Sequence, residues 1–89
     1  MLFMVIERFT DGNEKRIGER FRKDGRMMPA EVVYQASWLD PETMRCWQLM
    51  EAPSRAALDP WIEKWRDLMD FEVAAVETSA QFWSKRPPG

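Results

Sequence analysis

What most constrains this chain is the order of its hydrophobic patterns: an apolar run, a helical stripe, two runs separated by a short turn, a second helical stripe and a last run. Leu2 to Phe9, rich in branched and aromatic residues and ended by Thr10, Asp11 and Gly12, reads as a buried strand. Asp11 then stands three residues before Glu14 in a capping-box arrangement, with Asn13 as the rival cap. Ile17 and Phe21 share a helix face down to Gly25, with Gly18 as a weak point. Val32 to Leu39 and Arg45 to Glu51 read as strands joined by the turn signal Asp40-Pro41-Glu42, short enough for an antiparallel hairpin. Pro60 fits the first position of a helix capped by Asp59, where its missing N–H matters least, and Leu58, Trp61, Ile62, Trp65 and Leu68 fall at helical spacing behind it. Phe71 to Val76 is the last strand. The order is strand, helix, strand, twice over. This is the split βαβ plan, an α+β fold in which right-handed crossovers put the first and third strands at the centre and both helices on one face of a four-stranded antiparallel sheet.

A chain of 89 residues supplies one core. Residues 1–78 form the domain, and 79–89 a C-terminal extension in which Thr78 to Trp83 predicts a turn or two of helix and Lys85 to Gly89 a frayed tail. A net charge of -2 with interspersed signs argues against nucleic acid, which needs a concentrated basic face. The chain has no histidine, and Cys46 is its only cysteine. No intrachain disulfide, thiolate-held metal or Ser-His or Cys-His pair can form, and a reducing compartment is expected. Haem is disfavoured because no histidine can ligate it, although Tyr34 or Cys46 could in principle do so, and no cofactor is expected. Met1 to Ile6 is too short for a signal peptide, and no stretch approaches the roughly 18 to 20 apolar residues of a membrane span. The expectation is a cytoplasmic protein with no membrane partner.

Alternation splits each strand into two sets. Leu2, Met4 and Ile6, Tyr34, Ala36 and Trp38, Trp47 and Leu49, and Phe71, Val73 and Ala75 form the cleaner sets. The mixed sets bring Glu7, Ser37, Gln48 and Glu72 together with Phe3, Val5, Met50 and Val76. Desolvation predicts the clean sets beneath the helices and the mixed sets on the open face, provided each register holds. So apolar a face needs cover. A second copy is the simplest one, making a homodimer whose two sheets enclose a small-molecule cavity lined by Glu7, Ser37, Gln48 and Glu72.

The stretches Phe3-Met4-Val5-Ile6-Glu7-Arg8-Phe9, Gly25-Arg26-Met27-Met28-Pro29, Ser37-Trp38 and Arg45-Cys46-Trp47-Gln48-Leu49-Met50-Glu51, with Trp61, Trp65 and Asp70-Phe71-Glu72-Val73, resemble a short bacterial family known as domain of unknown function 3303. The resemblance covers nearly the whole chain. It implies a ferredoxin-like fold of the dimeric α+β barrel type and no particular activity, since that fold hosts cofactor-free monooxygenases, isomerases, haem enzymes and proteins without known chemistry.

Glu7 and Glu72 are the candidate acid/base pair, with Gln48 as an orienting amide; their bland reading is a pair of solvated carboxylates beside Arg8 or Arg45. Cys46, Trp61 and Trp65 read first as core, and Met27 and Met28 as a loop anchor. The function classes that remain are a small-molecule-binding dimer, a cofactor-free oxygenase or isomerase using Glu7 and Glu72, and a structural or protein-interaction module without catalysis.

Overall fold

The computed structural model describes residues 1–86, so Pro87 to Gly89, the end of the expected tail, lie outside the described residues. Strand β1 spans Leu2–Phe9, helix α1 Glu14–Asp24, β2 Val33–Asp40, β3 Arg45–Glu51, α2 Asp59–Glu63, β4 Met69–Val76 and α3 Ser79–Ser84. The sheet order is β2-β3-β1-β4, antiparallel throughout, with β1 and β3 at the centre as the crossover rule requires. This is the ferredoxin-like arrangement.

Local chemistry sets the element ends. Helix α1 starts after Asn13 rather than Asp11, and stops at Gly25, whose φ of 68° suits glycine and whose N–H donates to the Phe21 carbonyl at 2.8 Å. The β2–β3 turn is held by Asp40, whose carboxylate accepts from the Thr43 hydroxyl and the Glu42 N–H and is shifted toward its charged form by those bonds. The second helix departs from expectation. A 3-10 turn over Arg55–Leu58 leads into α2, so Asp59 is its first residue rather than its cap, and turns replace helix from Lys64 to Leu68. Pro60 still falls in the first turn, where no amide is needed. Strand β4 accordingly starts at Met69, two residues earlier than the sequence suggests. Thr78 and Gln81 close a capping box on α3.

The core joins Phe3, Val5 and Met50 of the central strands to Leu58, Trp61 and Trp65 of the second crossover. Trp61 meets Phe71 edge to face at 5.4 Å, and the Trp65 indole N–H donates to the Arg26 carbonyl at 3.1 Å. This overturns the expected sidedness of β1 and β3. Phe3, Val5, Glu7, Cys46, Gln48 and Met50, the mixed sets, lie buried under the helices, while Leu2, Met4, Ile6, Trp47 and Leu49 are only partly buried on the other face. Strand β4 keeps its expected sides: Phe71 pairs with Glu7 and Val73 with Val5, and paired residues share a face. In β2 an irregularity between Tyr34 and Ala36 adds one residue, so Tyr34 and Ser37 face the helices opposite Met50 and Gln48, while Ala36 and Trp38 face away. No alternation argument could see that bulge.

The outer face is consequently the apolar one. Its rows run Trp38, Trp47, Ile6, Glu72, then Ala36, Leu49, Met4, Ala74, then Val33, Glu51, Leu2, Val76, and it is edged by Asp40, Arg45, Arg8 and Asp70. Trp38 and Val33 there are 56% and 54% exposed.

Candidate functional site

The polar groups of the mixed sets are not stranded in solid core. Helix α1 buries none of its residues and leaves a cavity of about 340 Å³ between itself and the sheet. Glu7, Ser37, Cys46 and Gln48 border it from the strands, Ile17, Gly18 and Phe21 from α1, and Trp61 and Trp65 from the second crossover. Gly18 contributes to the space: a Cβ there would meet no described atom within 4 Å. The helix is held over the cavity at its far side, where the Arg20 guanidinium grips Asp67 through two bonds at 2.8 and 2.7 Å and donates to the Lys64 carbonyl at 2.8 Å.

Glu7 is 4% and Gln48 6% exposed. Burial raises the Glu7 carboxyl above its ordinary range, against the Gln48 amide, the Cys46 thiol and the Arg26 charge, all of which favour its ionised form. Burial and the neighbouring Glu7 together push the Cys46 thiol up to about 12. Cys46 is therefore a neutral weak donor and not a nucleophile. Arg26 lies over the Tyr34 ring at 3.8 Å and the Phe21 ring at 5.1 Å, which fixes at the aromatic rim the one cation that borders the cavity among the described residues.

The structure thus brings Glu7, Ser37 and Gln48 into one site and leaves Glu72 out. Glu72 pairs with Ile6 and is exposed on the opposite face, so Glu7 and Glu72 of this chain do not meet in the cavity. The cavity that the structure shows lies between sheet and helix of one chain, on the opposite side of the sheet from the face where a second copy was expected to enclose one. Among the described residues no group of three His, Cys, Asp or Glu side chains can hold a metal. One buried carboxyl with a raised pKa in a mostly apolar cavity can bind a polar atom of a ligand or exchange a proton with it.

A family model, described as domain of unknown function (DUF3303), matches residues 1–86. The chain belongs to this family. No curated protein and no solved structure matches it. Within this DUF3303 chain, the sequence reading missed Arg26, Gly18 and Phe21 as cavity residues and took Trp61 and Trp65 as core alone. Gly18 carried the one usable signal: a glycine inside a helix, facing the same way as the Phe21 and Ile17 stripe, marks either a weak helix or a deliberate space.

Proposed function

We infer that this protein is a homodimer that binds a small molecule in the cavity beneath α1 of each subunit. The observation that supports it most is a buried carboxyl and a buried amide bordering a preformed, mostly apolar space under a helix that has no buried residue of its own. Natural cores rarely keep such groups without a use, because each destabilises the fold by about 1 to 3 kcal/mol when poorly partnered. The dimer reading rests on the other face: Trp38, Trp47, Ile6, Leu49, Met4 and Leu2 form one apolar patch edged by charges, with no helical layer over it among the described residues. A second copy is a cover available to every molecule, and two-fold pairing is the commonest assembly. A cytoplasmic location accords with the lone cysteine.

A second reading makes the same site catalytic, with Glu7 alone moving a proton to or from the ligand; its raised pKa supports that role, and Gln48 would orient the carboxyl. A native mass spectrum of protein purified from its source organism tests the principal reading. The expected result is a dimer carrying one or two equivalents of a small molecule. A monomer would overturn the dimer, and a protein that stays empty with every small molecule offered to it would overturn the binding site.

A further inference from the structure

We propose that the cavity takes a neutral, flat, mostly apolar molecule whose hydroxyl group donates its proton to Gln48 Oε1. This deepens the ligand-site reading above and rests on it.

Gln48 Oε1 is a buried acceptor without a hydrogen-bond partner among the described residues, in a side chain only 6% exposed. Its amide lies beside Glu7, whose ionised form it favours. Ser37 sits directly opposite Gln48 in the sheet, yet its hydroxyl lies 2.6 Å from the Tyr34 hydroxyl and makes no bond to Gln48 Oε1. The oxygen is thus left for something that enters the cavity. Trp61 Nε1 is likewise a buried donor without a partner among the described residues, and Trp61 borders the same cavity. A hydroxyl is the smallest group that both donates and accepts, so it suits a site lacking one partner of each kind.

Charge and shape narrow the class further. Glu7 and Glu14 border the cavity against Arg26 alone, and Arg26 is already stacked on Tyr34 and Phe21, so an anionic ligand gains little there. Aromatic rings of Phe9, Phe21, Trp61 and Trp65 give flat walls, and about 340 Å³ lies at the small end of ligand cavities, suited to about two fused rings.

The test uses the full chain with three probes of one shape: 2-naphthol, 2-methoxynaphthalene and 2-naphthoate, their affinities read by calorimetry. The expected order puts 2-naphthol about tenfold or more ahead of both others, the ratio set by one buried hydrogen bond. Gln48→Leu should bring naphthol and its methyl ether within about twofold of each other, chiefly by weakening naphthol. Because that substitution removes the unpartnered oxygen together with the amide beside Glu7, a cooperative melting transition of the variant is the check that excludes misfolding as the cause. Equal binding of naphthol and ether in the parent, a preference that survives Gln48→Leu, or naphthoate as the best ligand would each overturn the hydroxyl assignment. If none of the probes binds, this ligand class fails, while the native mass spectrum still decides whether the cavity is a binding site.

Discussion

The two faces of this sheet invert a common expectation. Beneath the helices, where a core should be driest, stand Glu7, Ser37 and Gln48 among Phe3, Val5 and Met50. On the outer face, where water should be, Leu2, Met4, Ile6, Trp47 and Leu49 stand together, with Glu51 and Glu72 as the carboxylates among their rows. The difference teaches that a clean apolar set does not by itself mark the face that its own helices cover. The helical layer here is thin, with a five-residue α2 and an α1 that buries nothing, so the space it encloses is left partly open and polar. Among the described residues no such layer covers the outer face, and its apolar character is what the proposed second copy would use.

The largest break in that comparison is Trp47→Glu. Trp47 stands beside Trp38 and Ile6 in the middle of the outer face. A carboxylate there should weaken the dimer by about 2 kcal/mol or more, roughly thirtyfold in dissociation constant, as for a central interface aromatic. Sedimentation velocity over a concentration series would show the shift to monomer. Ligand binding should persist in that monomer, since the cavity is on the far side of the sheet; joint loss of dimer and ligand would show that the two faces are not independent.

The fold was legible in the sequence because its signals are local and mutually consistent. The apolar runs, the Asp40-Pro41 turn, Gly25 after α1 and Pro60 in the first turn of α2 each act over a few residues, and the crossover rule then permits one strand order. The sidedness was not legible, for a physical reason: alternation divides a strand into two sets but carries no sign. The sign was supplied by assuming that polar groups avoid the helical side, and a cavity under α1 removes the basis of that assumption. The bulge at Tyr34 to Ala36 needs pairing information that β2 alone does not contain. Glu7, Ser37 and Gln48 were still grouped correctly, because grouping depends only on period and register. Glu72 was misgrouped because β4 was taken to have the same sign as β1, whereas Phe71 is the neighbour of Glu7.

Glu7→Gln sharpens the account of the inner face. Burial raises the Glu7 carboxyl from the ordinary 4.5, so below that pH both folded and unfolded chains hold the proton and stability is unaffected. As pH rises past it, the unfolded chain ionises first and is stabilised relative to the folded one, so folding stability falls until the folded carboxyl ionises too and is level above that point. The glutamine variant lacks this falling limb. It should be the more stable protein at neutral pH, by about 1.4 kcal/mol for each pH unit through which burial displaces the carboxyl. Urea midpoints of parent and variant between pH 4 and 8, on ligand-free protein, give the difference directly. A parent whose stability instead rises across that range, relative to the variant, would mean that Arg26, Gln48 and Cys46 outweigh burial and hold Glu7 ionised.

Gly18→Ala is the smallest effect and bears on why the inner face is open at all. A glycine inside a helix destabilises it by about 0.5 to 1 kcal/mol relative to alanine, and here the added methyl meets no described atom within 4 Å. If the cavity is a site, that weakness is retained for the space it leaves, and alanine should raise stability by about the same 0.5 to 1 kcal/mol while weakening ligand binding by a few-fold. Gly18→Leu, reaching further toward Gln48 and Trp61, should abolish binding with the dimer intact. Should Gly18→Ala destabilise the protein instead, α1 must pack on the sheet more closely than the cavity implies, and the polar groups beneath it would then be partners of the helix rather than of a ligand.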